Sequence, residues 1–468
     1  MKMNFIKLSF FFASVLLCFT SCEKVDFGGI NENPNEPTQP SAGSLLANAE
    51  GAVSAYLGAT TPNLYVQYLS NGQYDEESRY QTLNWDTDYW YGMLNDIDRM
   101  IQVSDNPNQI AAGTILRVYL MEGMTTRWGM LPYSEALQGL DNQFPAYDSQ
   151  EEIYNGLFSE LDSALAMIDA GGMAVAGDYI FGGDISRWES FGQTLKMVMA
   201  LRLSNANPSL GEQKFNEALG KVINSNAENF FYPYLADENN DNPWEDRFLA
   251  PSFRRDYLVS DVFVNELVGS GSPSAPEDDR LWGMADPAFN SGTFVGAPYG
   301  QSNSATDDYS FITSDIINSQ TAPLYMFTYA EVLFARAEAA HLGWTGEDAE
   351  TLYEEAITAS FEQWGQTSAQ ADAYIAMNGY TGPESIGYEK WVALYFQGYE
   401  AWAEWRRLQA MGYGFDLTAP SDLLSNATGI PDRQAYSATA ASLNEASYNA
   451  AIQAQGPDAL NTVIWLFE

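Results

Sequence analysis

Cysteine and histidine are almost missing from this sequence, which removes most metal and nucleophile chemistry. The two cysteines, Cys18 and Cys22, lie at the extreme N-terminus, and His341 is the single histidine. A zinc site of Cys and His ligands has no material here, and nothing past residue 22 could form a disulfide. His341 falls in the run Ala339, Ala340, His341, Leu342, Gly343 and reads as a helix-end residue without chemistry. Neither a Cys-His pair nor a Ser-His-Asp triad is therefore read from it. Positive charge is scarce as well: 21 Lys and Arg face 62 Asp and Glu, for a formal net charge of -41. Such a field repels phosphates, which argues against nucleic acid and against strongly sulfated polymers. With so many acids, carboxylate pairs suited to glycoside hydrolysis can be named by chance, and no context singles one out.

Apolar and aromatic residues are plentiful. Of 468 residues, 46% are hydrophobic, with 25 Phe, 28 Tyr and 12 Trp, enough for a large core and too many for a disordered chain. Lys2 and Lys7 precede an apolar run from Leu8 to Phe19, short for a bilayer span and suited to a signal peptide. The run ends in Phe19, Thr20, Ser21, Cys22, which resembles the lipobox of bacterial lipoproteins with Phe19 in the usual leucine position. The expectation is a signal peptide over 1–21, lipidation at Cys22, a tether and arm over 22–43, and a single domain over 44–468. Cleavage before Cys22 removes two lysines and no acid, so the formal charge moves from -41 to -43.

Helical periodicity dominates the remainder. It predicts helices over Ser44–Gly58, Ile97–Val103, Ile110–Thr126, Trp188–Leu203, Gly211–Ser225, Tyr329–Leu342 and Ala349–Trp364, and one long helix over Glu384–Met411. Asp148 with Glu151 reads as a capping box opening a helix that carries Ile153, Leu157, Leu161 and Leu165. Several helix pairs joined by short loops look like tetratricopeptide-type hairpins, although no clean repeat emerges. The stretches Phe230–Tyr325 and Gly412–Ala459 are irregular, and loops this long commonly carry a task.

Several segments together resemble the SusD/RagB family of outer-membrane glycan-binding lipoproteins. They are the lipobox; the arm Asn31–Pro37; the segment Arg127, Trp128, Gly129, Met130, Leu131, Pro132, Tyr133, Ser134, Glu135, Ala136; and Gly182, Gly183, Asp184, Ile185, Ser186, Arg187, Trp188 leading to Arg202. The C-terminal half adds Pro323, the run Tyr329–Ala340, then Trp402, Glu404, Arg406, Arg407, and finally Ile430, Pro431, Arg433 and Tyr436. Met130 stands where the family commonly has an acid, and Asp432 precedes Arg433 where adjacent basic residues are common. The resemblance implies an all-α fold, four tetratricopeptide-like helix pairs supporting a loop-rich ligand-binding lobe. It also implies a non-catalytic receptor that passes oligo- or polysaccharide to a SusC-like TonB-dependent transporter, with no cofactor and no metal. Arg127, Trp128 and Tyr133 then serve folding.

Sugar rings lie on aromatic faces while polar groups bond their hydroxyl rims, so clustered rings beside acids and amides are the candidate platforms. The run Trp85, Asp86, Thr87, Asp88, Tyr89, Trp90, Tyr91 is the densest. By order along the chain, Asp75, Arg79 and Trp85 are the nearest equivalents of the acid, arginine and tryptophan of the starch-binding members. Trp90 is added from the aromatic run. Trp282, beside Asp278, Asp279 and Arg280, and Tyr299, between Pro298 and Gly300, are read as loop platforms. Trp244 reads as a loop anchor, and the oxygen-rich stretch Asp237–Asn242 as solvated surface without an EF-hand pattern. The strong negative charge favours a neutral polymer, such as a glucan or mannan, in salty medium where self-repulsion is screened. A peptide receptor of the same architecture is the alternative, and an all-helical glycoside hydrolase the enzymatic one.

Overall fold

A computed structural model of the protein describes residues 40–82, 85, 87–249 and 252–468. Cys22 and the Asn31–Pro37 arm lie outside the described residues. From Ser41 onward the chain is one compact unit, and its secondary structure is overwhelmingly α-helical, joined by three two-stranded antiparallel sheets among the described residues.

Local chemistry explains most boundaries. The helix Ala42–Leu57 opens on Ser41, whose hydroxyl accepts from the Ser44 N–H at 3.0 Å. Asn106 caps Pro107–Trp128 with proline in its first turn, and the helix stops at Gly129, where φ is +79°. A Cβ there would meet the Gln455 amide oxygen at 1.9 Å, so glycine is required by space as well as by conformation. The expected capping box is present one residue later: Ser149 and Glu152 cap Gln150–Met167 reciprocally. Asp148 turns outward from that helix and accepts from the Tyr133 and Ser134 N–H groups, both at 2.9 Å.

Pro107–Trp128 and Ile185–Arg202 are buried on nearly every side, as helices must be when their apolar residues run all round. Four helix pairs pack together: Ala42–Leu57 with Asp88–Val103 (across the short helices Thr61–Tyr65 and Asp75–Ser78), Pro107–Trp128 with Gln150–Met167, Ile185–Arg202 with Pro208–Ala218, and Tyr329–His341 with Ala349–Gln363. The second helix of the first pair begins at Asp88, well before Ile97, and that of the third ends before Gly220, whose φ is +78°. No helix among the described residues is long and apolar enough to cross a membrane.

The predicted long helix is two, Pro383–Ala393 and Gly398–Met411. Between them Phe396 adopts φ +73° and lays its ring 4.7 Å from that of Trp244, while Tyr395 stacks on Phe263 at 4.5 Å. Trp244 is thus a fully buried anchor. Gly398 begins the second helix because a Cβ there would lie 2.8 Å from both Pro62 and Asn63.

Charge fills the heart of the helical body. Arg407 is completely buried, and its five N–H groups meet five acceptors: Glu338 Oε1 and Oε2, both at 2.6 Å; Glu404 Oε1 at 3.1 Å and Oε2 at 2.8 Å; and Ser204 Oγ at 2.9 Å. Lys390 bridges Glu338 and Glu404, and Arg202 pairs with Glu122 and Glu400. Burial drives Glu338 and Glu404 upward, but Arg407 and Lys390 beside them outweigh it and hold both below the usual carboxylate range. Arg127 likewise sits inside, its guanidinium 4.1 Å from the Trp128 ring and 4.3 Å from that of Tyr399, with Nε donating to Gln434. The Trp128 indole donates to the Ala435 carbonyl and the Tyr133 hydroxyl to Glu160. These segments tie the N-terminal helices to the C-terminal strap.

A loop-built aromatic face

The predicted platforms do not meet in one groove. Trp90 is 8% exposed, with Tyr56 edge-on at 6.2 Å and the Arg127 guanidinium 4.9 Å over its ring. Its faces are taken by the core, which corrects the reading of it as a surface platform. Trp85, also 8% exposed, is corrected in the same way. Tyr299 points inward, its hydroxyl donating to the Leu64 carbonyl at 2.5 Å. That bond accounts for the ring's half-buried position and removes it from the candidate platforms. Asp75 and Arg79 pair with each other at 2.7 Å, and Arg79 reaches Asp422 at 3.0 Å. Only Trp282 offers a ring to solvent, 45% exposed and edge-on to Phe294 at 4.6 Å. Its charged neighbours Asp278 and Arg280 are not solvated but buried together with Glu389.

A different set of residues builds an open face in the same loop-rich segment. Leu69–Asn71 pairs with Tyr257–Val259, setting Asn71 opposite Tyr257. The Asn71 side chain then accepts from the Gln73 and Tyr74 N–H groups at 3.1 and 2.8 Å, turning the chain so that Tyr74 stands exposed. Arg254 lies 5.0 Å over the Tyr74 ring and is paired with Asp256 at 2.6 Å. Tyr257 donates to Glu77 at 2.9 Å, and burial with that carboxylate pushes its hydroxyl up to about 12. Together Tyr74, Glu77, Arg247, Arg254, Asp256 and Tyr257 line a cavity of about 400 Å³.

Phe253 stands beside it, 72% exposed with φ +48°. A bulky residue in that conformation is strained, and such outliers gather at binding sites. The face continues through Arg255, paired with Asp307 at 3.1 Å. Asn290 bonds the Asp307 carbonyl and the Asp308 carboxylate, presenting Phe289 at 82% exposure. The exposed arginines Arg254 and Arg255 therefore each have a carboxylate, while the more deeply set Arg247 donates to the Pro243 carbonyl and lies 4.8 Å over the Trp244 ring. Helical periodicity does not register such residues. The adjacent Arg254 and Arg255 behind Phe253, two cations together in so acidic a chain, are the signal that marks them in the sequence.

Among the described residues, Glu238, Asp241 and Asp246 bring carboxylate oxygens within 4.8 Å of one another and could hold a metal ion. The Gln320 amide already donates to Asp241 at 3.1 Å and Glu238 at 3.4 Å. His341 closes its helix, with Nδ1 3.0 Å from the Tyr380 hydroxyl.

Comparison with known proteins places this architecture. Solved structures similar to the chain include a chitin-binding protein, at 24% identity and TM-score 0.80, covering 92% of this chain and all of that one. A chitin-binding SusD homolog from Flavobacterium johnsoniae is 23% identical with TM-score 0.78, over 91% of this chain and 98% of its own. A SusD homolog from Bacteroides uniformis is 22% identical with TM-score 0.76, over 91% and 99%. Among curated proteins, none matches. The SusD-like family model described as "Starch-binding associating with outer membrane" matches residues 34–437. The chain belongs to this SusD-like family of outer-membrane glycan-binding proteins.

Proposed function

We propose that this protein holds a neutral polysaccharide on the face running from Tyr74 through Phe253 to Phe289 and Trp282, and hands it to its transporter. Four tetratricopeptide-like helix pairs form the scaffold in this reading, and the loop-rich segment is the ligand-binding lobe. Cys22, after removal of residues 1–21, carries the lipid, and 22–43 is the tether. Asp75 and Arg79 edge the face in this reading, and Trp85, Trp90 and Tyr299, which are turned into the protein, are not among its platforms.

The observation that carries this reading is the combination of exposed rings with exposed arginines that are each paired to a carboxylate, Arg254 to Asp256 and Arg255 to Asp307. A ring that covers about 100 Å² of sugar surface contributes roughly 2.5 kcal/mol before ordering costs, so two or three platforms hold a repeating chain weakly at each unit and usefully overall. Asp256, Arg254, Asp307 and Asn290 supply rim hydrogen bonds without a net positive field. Two of the similar structures are of chitin-binding proteins, which makes chitin, a neutral polymer, the first ligand to try.

Retention on chitin and in affinity gels of neutral glucan, mannan, uronate and sulfated polymers tests the reading. Tyr74→Ala and Phe253→Ala should each weaken binding to the retained neutral polymer about tenfold, equivalent to about 1.4 kcal/mol. Retention by sulfated polymer alone, or wild-type binding by both variants, sinks it.

A further inference from the structure

A second cavity, sharing no lining residue with the one beside Tyr74, lies between the Leu281–Met284 turn, the end of Ala349–Gln363 and the break before Gly398. Its volume is about 260 Å³, room for about nine waters at about 30 Å³ each, and so for one ring-sized molecule rather than a chain. Tyr325, Trp364, Tyr395 and Phe396 wall it.

Its polar lining is unusual. Both amide atoms of Gln363, the Trp364 indole nitrogen, the Tyr395 hydroxyl and the Gln397 amide oxygen are buried without a hydrogen-bond partner among the described residues. Tyr395 and Gln397 are more than nine-tenths buried as whole residues. Each such orphan is costly to bury, and folded proteins carry few of them, so five around a single cavity point to a ligand that completes them. The backbone adds a second sign. Phe396, whose aromatic side chain disfavours a positive φ, holds φ +73° at the cavity wall, the strain that binding sites retain when the surroundings impose it.

The chemistry of the occupant follows from the donors and acceptors. Gln363 Nε2, the Trp364 N–H and the Tyr395 O–H donate, whereas Gln363 Oε1 and Gln397 Oε1 accept. Asp315 is the single charged lining residue, and it is exposed. A charged ligand would be left without its counter-ion inside, at a cost that neutral amides and hydroxyls avoid. We propose that this cavity is a separate binding site for one neutral sugar unit, its hydroxyl or amide groups paired with Gln363, Trp364, Tyr395 and Gln397 and its ring set among the aromatic walls.

Ligand-observed NMR and calorimetry on the detergent-solubilised full-length protein, with N-acetylglucosamine and glucose as separate probes, test it. One of the two should bind at one site per chain. Gln363→Leu should weaken that binding at least tenfold, and Tyr395→Phe should weaken it measurably. Gln363→Leu should keep the wild-type melting temperature or exceed it, because it deletes two unpaired buried atoms. Its retention of polymer should be unchanged, which reads the face around Tyr74 independently. Should neither probe bind, the cavity holds water only and the proposal fails, whatever the melting temperature of Gln363→Leu. Binding that survives both substitutions overturns it equally.

Discussion

Glu50 lies wholly buried on the Ala42–Leu57 helix, with Oε2 accepting from the Tyr179 N–H at 3.0 Å and Oε1 unpaired among the described residues. Burial, reinforced by the facing Asp178 carboxylate, raises its pKa from 4.5 to about 9. At neutral pH the folded protein therefore holds a proton here that the unfolded chain has released. Between pH 4.5 and 9 the native state binds more protons at this site, so its contribution to stability falls as pH rises. The slope is one proton, about 1.36 kcal/mol per pH unit, which amounts to about 2.7 kcal/mol between pH 5.5 and 7.5. Glu50→Gln keeps the neutral shape and an amide donor toward Asp178 while deleting the titration. Urea unfolding of both proteins at pH 5.5, 6.5 and 7.5 isolates the difference, because every other titrating group is shared. The variant should gain about 2.7 kcal/mol on wild type across that interval, read as separating midpoints at constant m. Midpoint curves that stay parallel would show that Glu50 ionises in the folded protein and that the argument from burial is wrong.

Arg407→Ala should cost about 3–5 kcal/mol, since Glu338 and Glu404 would share only Lys390 in a dry interior. With about 0.9 kcal/mol/K of unfolding entropy for a body of this size, thermal melting should fall by about 3–6 °C, and an unchanged midpoint would refute the network's role. Trp90→Ala should destabilise by about 3–5 kcal/mol in chemical denaturation yet leave polymer retention per folded molecule at the wild-type value. Loss of retention at full stability would return Trp90 to the binding face. Cys22→Ser should shift the exported protein from the detergent phase to the aqueous phase in a partition assay, and no shift would remove Cys22 as the lipid site.

Much of the helical scaffold was legible in the sequence. The 3.6-residue apolar spacing of Ile153, Leu157 and Leu161, the run Tyr329–Ala340 and the glycines after helices are local signals, and local signals survive without the rest of the molecule. The same segments carried the family resemblance, because Arg127, Trp128, Arg407 and Arg433 are spent on the buried contacts that hold this fold together. Local pattern alone could not tell that the predicted helix through Glu384–Met411 breaks at Phe396. Residues on both sides of the break are buried, so the apolar periodicity runs through it.

Only tertiary structure decided which rings are free. Trp90 and Tyr74 sit in similar polar neighbourhoods along the chain, yet one is covered by Arg127 and Tyr56 and the other stands out on a turn made by Asn71. Whether an aromatic side chain is core or platform depends on what packs over it from far along the sequence. The sequence by itself therefore determined a helical, acidic, outer-membrane receptor of known family. Where that receptor presents its rings, and which of its polar atoms remain unpaired around a cavity, followed from contacts between residues that no local periodicity connects.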